Sequence, residues 1–439
     1  MLSKDKILEA ISDWSYWGKQ LPASIPRQGY SEEIARKAAS GEILVIKGVR
    51  RAGKSTLLLN EIKRLHASGR AARDILLVNL EDPRFVEHLE PALLERIKSS
   101  YLEYMNPGPE PVIMLDEVQV VPAWEKWVLK EHSLGRSQLF VTGSSSSLLD
   151  PDIGTALSGR YLDLTVFPLS FSEYLRFHDL PIDDPVQRVH RRTEVDRLYR
   201  QYAEQGGFPK LVEIPDAETR RDTLKVYYDS ILLRDIVARH AIHNPRALEE
   251  LAVFLLTNTA AVNSTNRLKN TLDMSFDSVR DYTHYLEQAC LVFQLARFDW
   301  SVKKQLANPR KFYSIDTGLS NRVSFQVGTR MAQNLENIVF LELLRRKHEI
   351  YYHKTGQGLE VDFVIKQGAR IVELIQVCLD AHDDRTRRRE MRALVRAEQE
   401  LGRGEPVRKT LLTLESSEPR PTDDPDIRVL DAIDWLLFP

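Results

Sequence analysis

The chain has 439 residues, of which 43% are hydrophobic and 28% are charged, a composition typical of a folded protein with more than one domain. Its 61 lysine and arginine residues nearly balance its 63 aspartate and glutamate residues, and the resulting net charge of −2 excludes nucleic-acid binding through overall positive charge. The two cysteines, Cys290 and Cys378, lie far apart, and no apolar run reaches the roughly 18 residues of a membrane helix, so we expect a cytoplasmic protein without a disulfide framework.

The first predicted elements are helices. Residues 3–20 place apolar side chains at helical spacing, so an amphipathic helix is expected within an N-terminal segment, residues 1–30. Tyr30–Ala39 is predicted as a second helix, and Ile43–Ile46 then has the continuous apolar pattern of a buried strand.

The stretch Gly48–Thr56 carries the most specific motif of the chain. Its sequence reads G-x-x-x-x-G-K-S, which is the pattern of a phosphate-binding loop. An apolar strand leads into the stretch and helix-forming residues lead out of it, as such a loop requires. Glycines let the backbone pass close to phosphate oxygens, and the amides at the helix start point at the anion. A glycine-rich turn before an ordinary helix is the alternative, and the strand–loop–helix context argues against it.

This loop predicts ATP as a ligand, with Mg²⁺ as the cofactor. Lys54 is expected to contact the β- and γ-phosphates, and the Ser55 hydroxyl is expected to ligate Mg²⁺. The predicted nucleotide-binding residues are Gly48, Val49, Arg50, Arg51, Ala52, Gly53, Lys54, Ser55 and Thr56.

Two acidic residues end the next informative strand. Pro111–Glu117 contains four consecutive apolar residues followed by Asp116 and Glu117, as expected of a buried parallel strand whose carboxyl end lies at the ligand edge. Asp116 is predicted to hold the hydration shell of Mg²⁺. Glu117 is predicted to polarise the water that attacks the γ-phosphate. A strand that ends in a solvated acidic turn is the alternative, which the upstream loop makes the weaker interpretation.

Three further residues are catalytic candidates near the γ-phosphate. The strand that begins at Gln138 ends in hydroxyl side chains, among which Thr142 and Ser144 are the candidates. These hydroxyls are equally consistent with a turn. Arg160 precedes the next predicted strand, and its cation is a candidate for sensing phosphate charge. A plain surface arginine is the alternative there.

Five segments of the sequence resemble motifs of one protein family and occur in the same order as in that family. These segments are Gly48–Thr56, Leu115–Glu117, Val141–Ser145, Gly159–Arg160 and Pro168–Phe171. They resemble the archaeal and bacterial AAA-type ATPases that carry a C-terminal DUF4143 domain. The resemblance implies an α/β fold: a P-loop NTPase parallel sheet, a helical and winged-helix middle, and a small α/β domain like a restriction endonuclease. We therefore expect an ATPase domain at 31–178, a middle region at 179–325 and a nuclease-like domain at 326–439.

The middle region independently predicts three helices and a hairpin. The helices are expected at about Pro245–Thr257, Ser264–Thr271 and Ser275–Ala289, and a strand at Leu291–Phe298 follows. Three helices and a hairpin make up a winged helix, whose third helix would face DNA. That helix mixes acidic with basic residues, which makes a poor phosphate-binding face, so packing or a protein contact is as consistent with the module as DNA binding. The residues in question are Asp277, Arg280, Asp281, His284 and Glu287.

The last region resembles a PD-(D/E)xK nuclease core. Such a site needs an aspartate on one strand and, on the next strand, an acid two residues before a lysine, because alternate residues share one face of a strand. Glu336 and Asp362 supply two carboxylates, but Gln376 and Cys378 stand where the acid and the lysine belong. We therefore predict that these degenerate positions do not support metal-dependent DNA cleavage.

An arginine-rich helix follows the nuclease-like strands. Arg385, Arg388, Arg389 and Arg392 are the candidates for contact with a nucleic-acid backbone. Acidic residues are interspersed among them, so a solvated helix face is the alternative interpretation.

Three functions fit these patterns. The first is an ATPase of the AAA/STAND kind, which hydrolyses ATP and acts as a nucleotide-driven switch or motor on DNA or on a protein partner. The second is a nucleotide-gated module that binds protein or DNA with little turnover. The third is an active ATP-coupled nuclease. Steady-state phosphate release separates the first two functions, and plasmid nicking with Mg²⁺ tests the third.

Overall fold

The structure is a computed structural model that describes residues 2–144, 156–157, 159–324, 330–380, 383–414 and 424–438. Ser145, in one of the family-like pieces, lies outside the described residues. The chain divides into two compact units, Met1–Phe167 and Pro168–Pro439. This division lies before residue 178, where the sequence predicts the end of the ATPase domain.

The first unit alternates between strands and helices. In chain order its elements are α1 (Lys4–Ser15), α2 (Gln28–Ala38), β1 (Ile43–Gly48), α3 (Lys54–Ala67), β2 (Ile75–Asn79), α4 (Ala92–Met105), β3 (Val112–Asp116), α5 (Trp124–Ser133), β4 (Gln138–Ser144) and β5 (Tyr161–Val166), with short 3-10 turns at Ala72–Asp74, Pro83–His88 and Val118–Val120.

Among the described residues, five parallel strands form the sheet of the first unit in the order β2–β3–β4–β1–β5. Strands such as β3 are buried along their whole length, which is why they consist of continuous apolar residues. All five strands end at one edge, where Gly48 pairs with Ser144 and Val166, and Asn79 pairs with Asp116. In an open parallel sheet this carboxyl edge is where ligands bind.

Helix α1 belongs to the core of the first unit. Ile7 and Ile11 are buried in the same apolar cluster as the strand residues. The Ser15 hydroxyl donates to the carbonyl oxygen of Leu77 at 3.0 Å and accepts from the Leu77 N–H at 3.1 Å. These two bonds attach the end of α1 to β2, so the predicted N-terminal segment packs with the sheet.

The second unit contains more helix than strand. In chain order its elements are α6 (Phe171–Phe177), α7 (Pro185–His190), α8 (Arg192–Gln205), α9 (Pro209–Val212), α10 (Ala217–Ser230), a π-helical stretch (Ile231–Val237), α11 (Pro245–Thr257), β6 (Val262–Asn263), α12 (Thr265–Leu272), α13 (Phe276–Gln288), β7 (Val292–Ala296), α14 (Val302–Ala307), β8 (Arg310–Ser314), α15 (Thr317–Val323), α16 (Met331–Arg345), β9 (Glu349–Lys354), β10 (Glu360–Gln367), β11 (Arg370–Cys378), α17 (Asp384–Leu401), β12 (Arg408–Thr413), β13 (Ile427–Asp431) and α18 (Ala432–Leu437).

Two sheets organise this unit, within the part of the chain that the structure describes. The strands β6, β8 and β7 pair in that order as a small antiparallel sheet. The order β13–β12–β11–β10–β9 gives a mixed sheet, parallel from β11 to β13 and antiparallel from β9 to β11. Helices α11 to α13 lie within one residue of their predicted bounds. Strands β6 and β12, in contrast, are not predicted from the sequence. The predicted parallel sheet, helical middle and C-terminal α/β region are confirmed.

None of the described helices combines the length and the apolar character that crossing a membrane requires.

A buried aspartate joins two segments of the second unit. Asp316 accepts hydrogen bonds from the backbone N–H groups of Gly207 at 2.6 Å and Leu319 at 2.9 Å. Burial raises the pKa of this carboxyl group to about 6. The two segments approach so closely that a Cβ on Gly318 would lie 2.0 Å from the carbonyl oxygen of Gln205. Glycine at position 318 is therefore a steric requirement.

We predict that Gly318→Ala destabilises the protein by about 1–3 kcal/mol, because the added methyl group must push two backbone segments apart. The matched control is Gly356→Ala, where a Cβ would come no closer than 3.6 Å to Glu400. Thermal unfolding measures both variants. Equal unfolding temperatures for Gly318→Ala and wild type would contradict the close approach.

Candidate functional site

The loop Gly48–Thr56 connects β1 to α3 with two conformationally demanding glycines. Gly48 has a φ of 156°, and a Cβ there would lie 2.2 Å from the carbonyl oxygen of Val166 on the neighbouring strand. Gly53 has a φ of 99° and immediately precedes Lys54, the first residue of a helix of 14 residues. The free N–H groups and the dipole of this helix favour an anion at the loop.

The Lys54 side chain lies across the loop, with only 4% of it exposed. Its ammonium group donates to the carbonyl oxygens of Gly48 at 3.2 Å and Val49 at 3.4 Å. It also lies 3.9 Å from a carboxylate oxygen of Glu117. These distances are long for hydrogen bonds of a charged group, so the ammonium can exchange these partners for the oxygens of an anion.

Asp116 lies at the end of β3 between two hydroxyl groups. The Thr142 hydroxyl on β4 donates to Asp116 Oδ1, and the Ser55 hydroxyl is a second hydrogen-bond partner of this carboxylate. Burial raises the pKa of Asp116, and both hydroxyl contacts oppose that rise. Hydroxyl and carboxylate oxygens are the hard ligands that Mg²⁺ prefers. Ser55 and Asp116 therefore fit a magnesium site at this edge of the sheet.

Glu117 adopts a strained backbone conformation next to Asp116. Its φ is 55°, which costs a non-glycine residue about 1–3 kcal/mol. Its backbone N–H donates to Thr142 Oγ1 at 3.1 Å, and Gln119 Nε2 donates to Glu117 Oε2 at 2.6 Å. A single hydroxyl group, that of Thr142, thus contacts both strand-end acids and holds Glu117 in place.

The remaining predicted residues of the loop and strand surround this centre. Ser144 is buried and lies beside Gly48 in the register of the sheet. Arg50 forms an ion pair with Glu81, in which the nitrogen and oxygen are 3.8 Å apart. The loop residues that are buried are Gly48, Val49, Ala52 and Lys54, and those that are exposed are Arg51, Ser55 and Thr56.

Sequence reasoning missed Arg27, a buried arginine that contacts the loop. Its Nη1 donates to the carbonyl oxygens of Ala52 at 3.1 Å and Phe167 at 3.0 Å. Its guanidinium group stacks on the ring of Tyr30, 4.4 Å from the ring centroid. Arg27 thereby connects the phosphate loop to the residue that follows β5. No local pattern singles it out, because its two carbonyl partners lie 25 and 140 residues away.

The prediction for Arg160 is wrong. Its carbonyl oxygen accepts a hydrogen bond from the N–H of Ile43, and its side chain donates to the hydroxyl of Ser133. Ile43 begins β1, whereas the phosphate loop follows the far end of that strand, about 17 Å away. A residue that precedes a parallel strand lies at the edge opposite the ligand edge, so Arg160 cannot reach a phosphate at the loop.

The degenerate nuclease positions form a second cluster, to which β8 adds a lysine from outside the nuclease motif. Lys311 on β8 donates to Glu336 Oε1 at 2.8 Å and to Asp362 Oδ1 at 2.9 Å. The Gln376 side chain accepts from the Asp362 N–H at 3.2 Å. The Cys378 thiol is buried, which raises its pKa to about 11. No sequence signal identifies Lys311, because it lies 25 and 51 residues from its two acceptors.

The predicted arginine face is on α17. An open cavity of about 620 Å³ is lined by Asp384 and by four arginines. All four side chains are exposed, and Arg389 also pairs with the neighbouring Glu390. The arginines that line the cavity are Arg385, Arg388, Arg389 and Arg392.

Two solved structures align with about 70% of the chain at low sequence identity. A Walker-type ATPase of Pyrococcus abyssi aligns with 68% of this chain and 96% of its own, at 14% identity and a TM-score of 0.44. The ORC1 protein of Aeropyrum pernix, solved in complex with DNA, aligns with 71% of this chain and 95% of its own, at 13% identity and a TM-score of 0.30.

Three family models match consecutive parts of the chain. An AAA domain matches residues 40–175. A domain of unknown function, DUF8612, matches residues 196–330. Another domain of unknown function, DUF4143, matches residues 333–430. The AAA match contains the phosphate loop, Asp116, Glu117 and Thr142. The DUF4143 match contains Glu336, Asp362 and the arginine face.

Two relatives match most of the chain. An uncharacterized protein of Haemophilus influenzae is 29% identical over 425 residues, which cover 94% of this chain and 99% of the relative. The uncharacterized protein MJ1544 of Methanocaldococcus jannaschii is 32% identical over 379 residues, which cover 84% of this chain and 82% of the relative. The chain therefore belongs to the same family as the Methanocaldococcus protein, and it combines an AAA domain with a C-terminal DUF4143 domain, as its sequence motifs predict.

Proposed function

We propose that this protein hydrolyses ATP to ADP and phosphate at the carboxyl edge of its parallel sheet, and that it acts as a nucleotide-driven switch or motor. The observation that supports this function best is the convergence of a loop lysine, a loop hydroxyl and two strand-end acids at that edge. Lys54 lies 3.9 Å from Glu117, and Ser55 hydrogen-bonds to Asp116. The AAA domain match over residues 40–175 supports the same function.

The loop supplies the groups that bind the substrate. The Lys54 ammonium and the N–H groups at the start of α3 provide positive charge for the β- and γ-phosphates. Ser55 and Asp116 would hold Mg²⁺, which when bound would neutralise charge on the phosphates. Arg27 fixes the loop backbone through the Ala52 carbonyl group, 3.1 Å from its Nη1.

Glu117 is the proposed general base. Its carboxylate takes a proton from the attacking water, whose oxygen forms a bond to the γ-phosphorus. The bond between that phosphorus and the β–γ bridging oxygen breaks, and ADP leaves with its electron pair. Thr142 positions this base, since it accepts from the Glu117 N–H at 3.1 Å and also contacts Asp116.

We predict that Lys54→Ala weakens ATP binding roughly 10- to 100-fold, because it removes a charged donor to the phosphates. Lys126→Ala, which removes an exposed lysine on α5, is the control and should bind like wild type. Titration with a fluorescent ATP analogue and Mg²⁺ measures both affinities. Unchanged affinity in Lys54→Ala would place the nucleotide away from the loop.

We predict that Glu117→Gln binds ATP with near wild-type affinity but releases phosphate roughly 10²- to 10⁴-fold more slowly, because the amide cannot accept the proton. Glu87→Gln, at an exposed position of the same unit, should keep the wild-type rate. Steady-state phosphate release measures turnover. If wild type binds ATP yet turns it over no faster than Glu117→Gln, the nucleotide-gated binding module becomes the better description.

We propose a second function for the arginine face of α17, which is to bind the phosphate backbone of DNA. Four exposed arginines line one cavity of about 620 Å³, and a row of cations along a helix suits the regular charges of a phosphate backbone. The third helix of the small-sheet region is the weaker DNA-binding candidate. Its Arg280 is paired with Asp277 at 3.0 Å and with Asp281 at 2.9 Å.

We predict that the double variant Arg388→Ala/Arg392→Ala binds duplex DNA more weakly and with a smaller salt dependence. Each lost phosphate contact should reduce the slope of log affinity against log salt by about 1. The control is Arg191→Ala/Arg246→Ala, which removes two exposed arginines that pair with acids elsewhere. An absence of DNA binding at low salt would instead favour a protein partner.

A further inference from the structure

The carboxylate cluster of the C-terminal region surrounds a single ammonium group. Lys311 Nζ lies 2.8 Å from Glu336 Oε1, 2.7 Å from Glu360 Oε1 and 2.9 Å from Asp362 Oδ1. Only 1% of the Lys311 side chain is exposed. Three acidic side chains from α16 and β10 therefore converge on a lysine that β8 supplies.

The hydrogen-bonding capacity of this centre is used by the protein itself. A lysine ammonium has three N–H donors, and Lys311 has three carboxylate oxygens within hydrogen-bonding distance. The second oxygen of Asp362 accepts from the Val377 N–H at 3.0 Å. Tyr313 adds its hydroxyl, which donates to Glu336 Oε1 at 2.7 Å. The oxygens that face the centre thus already have donors.

Electrostatics keep this lysine charged. Burial disfavours the charged form of Lys311, but the attraction of Asp362 and Glu336 outweighs burial and raises the pKa of the lysine well above its usual range. Burial and the nearby Asp362 raise the pKa of Glu336 to about 7. Without a cation at the centre, three carboxylates this close together would repel one another.

We propose that Lys311 takes the place of a divalent metal ion in this centre, so that an internal ammonium group holds the three carboxylates together and Mg²⁺ does not bind there. A nuclease-like fold implies a metal at Glu336 and Asp362, but these residues do not fit one in the presence of Lys311. Oxygens 2.7–2.9 Å from the nitrogen suit charged hydrogen bonds, whereas Mg²⁺ requires oxygens at about 2.1 Å. The same oxygens cannot serve both cations.

This assignment accounts for the neighbouring neutral residues. Gln376 stands where a metal-binding acid is expected, and its amide instead accepts from the Asp362 N–H and donates to Glu390 Oε2 at 2.9 Å. Cys378 stands where the lysine is expected and needs no charge, because Lys311 supplies that charge from another strand. The ammonium also connects the small antiparallel sheet to the mixed sheet, so the centre links these two sheets structurally.

The test measures Mn²⁺ binding to the full chain without nucleotide. Wild type should bind no Mn²⁺ ion that requires the Asp362 carboxylate. Lys311→Ala should bind one Mn²⁺ ion per chain that does require it. Mn²⁺ should also raise the unfolding temperature of Lys311→Ala by about 2–4 °C or more. The control Lys366→Ala removes a lysine of β10 that pairs with Glu349, and it should gain no Mn²⁺ site.

The Asp362→Asn variant distinguishes Mn²⁺ bound at this centre from Mn²⁺ bound at the phosphate loop, because Mn²⁺ at the loop should still bind in that variant. A wild-type Mn²⁺ site that Asp362→Asn abolishes would overturn the proposal, as would a folded Lys311→Ala protein that gains no Mn²⁺. If Lys311→Ala does not fold, the double variant Lys311→Ala/Asp362→Asn should fold, because it removes one charge of each sign. Failure of the double variant to fold would also count against the proposed role of Lys311 as the cation of this centre. None of these outcomes depends on ATP hydrolysis.

Discussion

The position of β4 between β1 and β3 is the constraint on which the candidate nucleotide site depends. Strands in a sheet lie about 4.8 Å apart, so one intervening strand separates the loop that follows β1 from the acids that end β3 by roughly 9–10 Å. Side chains span this distance between the backbones, because the Lys54 ammonium lies 3.9 Å from Glu117 and the Ser55 hydroxyl contacts Asp116. The intervening strand also delivers Thr142, whose hydroxyl contacts Asp116 and accepts from the Glu117 N–H. Strand order thus determines which side chains meet at the site and places Thr142 where it can hold both acids.

The local parts of this site could be predicted from the sequence because each is encoded in a few consecutive residues. The phosphate loop has its glycines and lysine at fixed spacing, and the acids directly follow an apolar run. Their distance from one another depends on strand order, which hydrophobic pattern does not specify. Arg160 illustrates the limit: its place in the chain, just before a strand, puts it at the amino edge, and only the parallel pairing of β5 with β1 reveals that.

Residues that act through distant contacts could not be predicted. Arg27 lies between predicted helices and has no motif, yet it bonds to the phosphate loop and to the residue after β5. Lys311 is the clearest case in the second unit. Its strand is separated in sequence from both Glu336 and Asp362. The nuclease motif compares positions along one strand, so it identifies Cys378 at the lysine position and does not detect an ammonium group from another strand. Charge balance in a buried cluster is a tertiary property and leaves no periodic signal.

The segment from β8 to the start of α15 carries much of the organisation of the second unit. Lys311 bonds to the carboxylates around the mixed sheet, and Asp316 accepts from the Gly207 N–H of the helical part. Both are buried charged or titratable groups with several partners, which is the condition under which burial of such groups is tolerated. The close backbone approach at Gly318 allows the two attachments to lie within a few residues of each other.

The most direct test of the account is an experimental structure of the protein with a non-hydrolysable ATP analogue and Mg²⁺. The account predicts phosphates in the loop Gly48–Thr56, with the Lys54 ammonium group on the β- and γ-phosphate oxygens. It also predicts Mg²⁺ beside Ser55 and Asp116, and Glu117 facing the γ-phosphate. A nucleotide bound elsewhere, or a γ-phosphate that the Glu117 carboxylate cannot reach even through one water molecule, would contradict it.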